Sequence, residues 1–390
     1  MDEVELRALV PQVLGVLVRR GADFATAEDA VQQALIRATA SWAQTPPADP
    51  KGWLITVAWR AFIDLARSDA SRRDREDEFG STPPLGAVPD ADDTLRLYFL
   101  CSHPALSPSS AVALTLRAVG GLTTTQIAQA YLVPEPTMAQ RISRAKRAVA
   151  DAGVGPSGDA RTVMRVLYLV FNEGHSGEID LAAEAIRLTR QLASVIDEPE
   201  VDGLLALMLL HHARRRSRTN SDGSIVPLAE QDRDVWDTEL IAEGVAIVQQ
   251  ALRRDRLGEY QAQAAIAALH ADAHRFDETD WPQIVEWYDE LLAITDTPVV
   301  RLNRAVAVGE ARGADAGLAA LAEVDETVPR RDAVAAYLHE KRGQLELASR
   351  LYVDAARNAP NMAERNHHTH QAARLNEVLR AKAVDDAAGE

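Results

Sequence analysis

The chain has 390 residues, 47% of them hydrophobic, and its 58 Asp and Glu against 42 Lys and Arg leave a net charge of −16. That length suits two or three domains with cores of their own. One cysteine, Cys101, excludes an internal disulfide framework and fits a reducing cytoplasm. The acidic start MDEVELRALV lacks the basic-then-apolar order of a signal peptide, and the longest apolar run, Leu204 to Leu210, is far short of a bilayer span. Alanine and leucine dominate, aromatics make up 5%, and alternating β-branched runs are absent, so an all-α, cytoplasmic, membrane-free protein is expected.

In chain order, residues 4 to 42 read as two helices. The second begins at Thr26, with Asp29 as an acid in its first turn. Val31, Ala34, Leu35, Ala38 and Trp42 form its apolar face, which leaves Glu28, Asp29, Gln32, Gln33 and Arg37 for the outside. Taken alone, this is an ordinary amphipathic helix.

After a loop with two prolines, Asp49-Pro50 caps a helix reading KGWLITVAWRAFIDLARSDASRRDRE. Leu54, Val57, Ala58, Ala61, Phe62 and Leu65 share one face and are expected in the core. Thr56, Trp59, Arg60, Ile63 and Arg67 project from the other side, and Arg72, Arg73 and Arg75 follow. An aromatic ring among cations suits splayed bases and phosphates of single-stranded DNA. Packing of Trp59 under another helix accounts for it equally well. The stretch EDEFGSTPPLGAVPDADD, residues 76–93, then reads as an extended acidic linker.

The segment from Ser107 to Val149 organises the rest. Ser107 before Pro108 starts a helix that stops near Gly120-Gly121. Thr123 and Gln126 have capping-box spacing and open a short helix ending near Tyr131. Pro134 opens a third, on which Met138, Ile142, Ala145 and Val149 make a buried stripe and Thr137, Gln140, Arg141, Arg144 and Arg147 fall opposite. Short helix, tight turn and basic second helix describe a helix-turn-helix for the DNA major groove; a helical hairpin with a solvated basic face is the alternative. Residues 1–150 hold 16 Lys and Arg against 17 Asp and Glu, the remainder 26 against 41. Phosphate attraction is therefore too weak to hold the chain on DNA unaided, and a partner is expected to help.

A second linker, DAGVGPSGDA, occupies residues 151–160. Residues 161–390 read as helices throughout, beginning with an apolar stripe of Met164, Leu167 and Val170 or Phe171. Gly343, Ala348, Tyr352, Ala355 and Pro360 have the spacing of the second half of a tetratricopeptide repeat, and WPQIVEWYDELLAITDTPVVRLNRAVAVGEARG is a degenerate helix pair upstream. Arg214–Arg216 reads as a solvated helix end. His270 and His274, and His367, His368 and His370, lack the acidic or cysteine partners of a metal site, so no metal, cofactor or catalytic residue is expected.

The AEDAVQQALIRA helix, then WLITVAWRAFIDLAR, then LTLR…GLTTTQIAQAYLVPEPTMAQRISRAKR resembles an RNA polymerase sigma factor of the extracytoplasmic-function class across residues 5–150. The resemblance implies region 2 over 1–75, region 4 over 94–150 and a tetratricopeptide-like regulatory domain over 161–390. It implies that Asp29, Gln32 and Arg37 grip the β′ clamp of core polymerase, with the β flap as a further contact. It assigns Trp59, Arg60, Asp64 and Arg67 to the −10 promoter element and Thr137, Gln140, Arg141 and Arg144 to the −35 element. Arg60 stands where the family usually has asparagine, and Leu132 where it has the turn glycine. The subgroup with such an extension typically lacks a cognate anti-sigma factor, so control by the chain's own C-terminal half, with a protein or peptide partner there, is the matching expectation. A helix-turn-helix regulator acting without polymerase and a peptide-binding scaffold are the competing readings. None of the three performs covalent chemistry.

Overall fold

A computed structural model of the chain describes residues 3–42, 47–73, 94–152, 159–173, 175–176, 179–220 and 224–389. The acidic linker at 76–93, most of the second linker and the side chains of Arg72, Arg73 and Arg75 lie outside the described residues. The chain divides into two compact units, Met1–Val201 and Asp202–Glu390. Helices make up both, and the named strands among the described residues are a two-residue antiparallel ribbon in the first unit, β1 (His175–Ser176) and β2 (Ile179–Asp180).

The first unit opens with three helices where two were expected: α1 (Glu3–Ala8), α2 (Val10–Arg19) and α3 (Phe24–Ser41). Pro11, in the first turn of α2, has no N–H to extend a helix from α1, so the chain breaks there. Helix α3 starts two residues earlier than the Thr26 reading, because the carboxylate of Asp23 accepts the Thr26 N–H at 2.9 Å. Helix α4 (Pro50–Arg73) is capped as expected, Asp49 accepting the Gly52 N–H at 2.9 Å. Val13, Leu14, Leu17, Ala27, Ala30, Ala34, Leu54, Ala58 and Ala61 form the core of α2, α3 and α4. Ile55 joins them, whereas Val57, Phe62 and Leu65 are only half-buried, so the buried stripe of α4 is rotated from the one expected.

Helices α5 (Thr94–Cys101), α6 (Pro108–Ala118), α7 (Thr124–Ala130) and α8 (Glu135–Ala152) follow. The Thr123–Gln126 capping box is reciprocal, at 2.8 and 3.1 Å. Met138, Ile142, Ala145 and Val149 are buried, as the stripe on α8 required. Leu132 carries the turn with φ +50° and is 82% exposed, a left-handed conformation that costs a residue with a Cβ about 1–2 kcal/mol. Helices α9 (Ala160–Glu173) and α10 (Leu181–Val195) complete this unit. The stripe Val163, Met164, Val166, Leu167, Val170 and Phe171 is buried as α9 packs on α5, α6 and α10. Compact packing thus runs on past 160 to Val201.

Helix α11 (Pro199–Ala213) leads into the second unit, which continues with α12 (Thr238–Leu252), α13 (Glu259–Asp272), α14 (Trp281–Ile294), α15 (Pro298–Arg312), α16 (Ala314–Leu321), α17 (Arg331–Lys341), α18 (Leu345–Arg357) and α19 (Met362–Gly389). From α12 on, each helix packs on its successor, and the cores overlap along the chain. Ile266, Ile284 and Val308 form one, Leu302, Leu321 and Leu338 the next, Ala336, Ala348, Tyr352 and Leu375 the last. Such a series is stabilised mainly through nearest neighbours. Gly317 lets α16 approach α15, since a Cβ there would lie 2.8 Å from the Cα of Gly309. Arg214 is not a solvated helix end: its guanidinium lies over the Trp236 ring at 5.1 Å and bonds Gln231 at 3.3 Å, while Arg215 and Arg216 are exposed.

Two imidazoles in the second unit are held neutral. Burial, reinforced by Arg214, lowers His211 to about 3 and His270 to about 4 from an ordinary 6.5. The unfolded chain protonates both as pH falls through 6.5 and the folded chain does not, so stability is lost from there downward. At pH 5 the loss is on the order of 2 kcal/mol per imidazole. Urea unfolding monitored by tryptophan fluorescence should give a clearly lower midpoint at pH 5.0 than at 7.5; equal midpoints would contradict this burial.

Candidate nucleic-acid interface

On α8 the side chains turned from the core are the ones expected to face DNA. Thr137, Gln140, Arg144 and Arg147 are exposed and Arg141 is half-buried. Arg144 reaches Gln140 at 3.4 Å along the same helix face. On α4, Arg60, Asp64 and Arg67 are exposed. Trp59 is half-buried: its ring lies 5.4 Å from that of Phe62, with the Arg20 guanidinium 5.7 Å above it. One face of the indole therefore serves packing, and the cation belongs to α2 and its end rather than to α4.

Helix α3 departs from the expected arrangement. Asp29 and Arg37 are exposed, but Gln32 is 7% exposed and Glu28 is fully buried. Glu28 faces two cations from helices far along the chain. Arg117 of α6 meets one carboxylate oxygen at 2.8 Å, and Lys146 of α8 forms a close ion pair with the other. Lys146 also bonds Asp29 at 2.6 Å. A helix surface read as outward-facing is thus the seat of a buried ionic cluster that joins α3, α6 and α8. No periodicity reveals this, because a buried Glu and an exposed one occupy the same letter of an amphipathic pattern. Lys146 was the available signal: it sits one residue from Ala145, at the margin of the buried stripe.

A second cluster ties in α10. Glu184 is 6% exposed and bonds Arg187 at 2.6 and 3.1 Å, with Arg7 of α1 at 3.9 Å. Arg187 also reaches the Gly120 carbonyl at 3.5 Å. At Gly121, φ is +71° and a Cβ would lie 2.9 Å from Val10, so the α6–α7 turn sits directly on α2. The buried Tyr98 hydroxyl donates to the Leu188 carbonyl at 2.7 Å. Cys101 is buried beside this contact, and burial, with Glu28 nearby, pushes its thiol far above the ordinary value. It is therefore an inert packing residue. Among the described residues no group of three or more His, Cys, Asp or Glu is placed to hold a metal, and no helix is long and apolar enough to cross a membrane.

Two helical segments in this order, each with its polar row turned out from a closed core, are the arrangement expected of a sigma factor. The comparisons agree: residues 6–72 match sigma-70 region 2 and residues 96–149 match sigma-70 region 4, while residues 160–252 match a family of unknown function, DUF6596. The chain is 42% identical over 364 residues to an uncharacterized protein of Rhizobium meliloti, covering 86% of this chain and 85% of that one. It is 31% identical over 169 residues to the ECF RNA polymerase sigma factor SigJ of Mycobacterium tuberculosis, 41% of this chain and 53% of that one. With the probable ECF sigma factor SigI of the same species it shares 29% over 194 residues, 46% and 65% of the two chains. No solved structure matches. The chain belongs to the RNA polymerase sigma factors of the extracytoplasmic-function class, in the subgroup with a C-terminal helical extension, and is an alternative sigma factor for transcription initiation.

Removing one partner of a buried ion pair strands the others. Glu28→Ala leaves Arg117 and Lys146 facing each other in the interior, and only Lys146 keeps a carboxylate, Asp29. The expected loss is about 3 kcal/mol of the first unit's stability. Chemical denaturation of the full-length variant tests it, and a change below about 0.5 kcal/mol, the usual size of a surface substitution, would show that the cluster is solvated.

Proposed function

We propose that this sigma factor binds core polymerase through α3, using Asp29, Gln32 and Arg37 against the β′ clamp, and engages the −10 element with Trp59, Arg60, Asp64 and Arg67. Thr137, Gln140, Arg141 and Arg144 of α8 read the −35 element, with the β flap as the neighbouring polymerase contact. The second unit, a tetratricopeptide-like array, modulates this activity and takes a partner of its own. No covalent step belongs to the chain. The observation that carries the reading is the division of labour on α4 and α8. Charged side chains with no core duty, Arg60, Asp64, Arg67 and Arg144, point outward, while inward charges such as Lys146 are paired.

The same pairing implies a closed state. Asp29 bonds Lys146 through one oxygen while its side chain stays exposed, and Gln32 is buried, so α3 offers polymerase only part of its assigned surface in this arrangement. Engagement of core then requires α8 to leave α3. Lys146→Met removes the bond to Asp29 and should tighten binding to purified core several-fold, whereas Asp29→Ala should weaken it. Weaker binding by both variants would reject the closed-state reading and leave Lys146 a purely structural residue.

Arg144→Ala should cost about 1–3 kcal/mol of −35 binding with relaxed specificity if it touches a base edge, or weaken all sequences alike if it touches phosphate. Trp59→Ala should spare duplex −35 binding and impair opening, read by permanganate footprinting. Truncation after residue 154 removes α9 and α10, which hold α5, α6 and α1 through Tyr98–Leu188 and Arg7–Glu184. Run-off transcription should therefore fall, and a truncated protein more active than the full chain would make the extension an inhibitor. DNA binding without any association with core would favour a stand-alone regulator.

A further inference from the structure

The second unit holds a cavity of about 580 Å³ that nothing above explains. Its walls come from the stretch at 225–229, the end of α13, the turn at Phe276, and α14, α15, α17 and the start of α19. Residues from near the beginning of this unit and from its last helix therefore face the same space. Residues from both ends of the unit thus line one open pocket. A volume of this size suits a small organic molecule.

The lining sets the chemistry. His270, Trp281 and Phe276 form an edge-to-face cluster, with ring centroids 5.2 and 5.3 Å apart, and the rings of Tyr288 and Tyr337 join the wall. The Tyr337 hydroxyl is engaged by Glu310, so that residue presents its ring. Arg330 is the cation of the lining, and both oxygens of Glu364 take it at 2.8 Å. That pair neutralises itself and leaves no free charge for an anion. The other polar side chains of the wall are Asn303 and the imidazoles of His270, His367 and His368, the histidines coming from opposite sequence ends of the wall. Burial also favours the neutral imidazole at all three lining histidines, His270, His367 and His368, and with it the absence of net charge.

We propose that this cavity is the binding site of a neutral aromatic small molecule, stacked among Trp281, Phe276 and Tyr288 and hydrogen-bonded at its edges to the imidazoles of His270 and His368. In the sigma factor such a site makes the second unit a receptor for a metabolite-sized signal. Only that consequence rests on the proposed regulatory role, since binding is read without polymerase.

The test is isothermal titration of the full-length chain with 2-naphthol and with 2-naphthalenesulfonate, which share a ring system and differ in charge. One naphthol should bind saturably per chain, and the sulfonate at least ten-fold more weakly. Ala333→Trp, which fills the hollow from α17, should lower naphthol affinity at least ten-fold while the melting temperature stays within two degrees or so of the parent; Val306→Phe does the same from α15 if the first variant misfolds. Four results would overturn the proposal: no saturable naphthol binding, a sulfonate that binds as well or better, affinity indifferent to both variants, or a tryptophan-bearing peptide that displaces naphthol and binds more tightly. A chain that failed to bind core polymerase would leave all of these readings as they stand.

Discussion

A carboxylate buried as completely as that of Glu28 has few stable arrangements. Taking it out of water costs several kcal/mol, and only opposite charge at close range with good geometry offsets that. The first unit supplies Arg117 and Lys146 from two different helices of region 4, so the position of α3 against α6 and α8 is constrained by one side chain. A buried ion pair of this sort adds less to net stability than well-packed hydrocarbon would, but it penalises every arrangement that separates its members without solvating them. The closed form of regions 2 and 4 is therefore specific without being irreversible: water or a partner's charges can take over from the cluster when the helices part. That combination suits a subunit that must present both regions to polymerase and DNA at separate places.

The helices after region 4 take part in the same unit. The break in sequence character at 151–160 marks where the composition turns acidic, and packing does not follow it. Helix α9 covers α5 and α6 with a continuous apolar stripe, and α10 holds Arg7 through Glu184 and the Tyr98 hydroxyl through its backbone. An extension that contributes core to the domains before it differs physically from one attached by a tether. Its first two helices belong to the compact unit that holds the two sigma regions.

Those helices form a series of overlapping small cores, each shared by two or three neighbours. Alanine and glycine at the contacts, such as Gly309 and Gly317, keep the helices close. Larger aromatic side chains collect on the wall of the pocket, a space they do not fill. Arg214 and Arg233 enclose the Trp236 ring at 5.1 and 4.7 Å and brace the stretch leading into α12. Charges that look like surface decoration in the sequence thus serve as packing around an aromatic core.

Sequence alone determined whatever depends on near neighbours in the chain. The Ser107 and Thr123 caps, the stripe of Met138, Ile142, Ala145 and Val149 and the Asp49 cap of α4 follow from residues three or four apart, where helix geometry fixes who meets whom, while the order of the two sigma regions was legible through the family resemblance. Even the odd Leu132 was visible as a residue in a glycine's place, and its φ of +50° is the result. The burial of Glu28 and Gln32, the rotation of the α4 stripe and the inward turn of Lys146 were decided by tertiary structure. A polar residue at the edge of an amphipathic face is outside or inside according to whether a distant helix brings a matching charge. Local patterning carries no information about that match. The cavity has the same origin: His270 and His368 are nearly a hundred residues apart, and only the curvature of the whole helical series sets them on one wall.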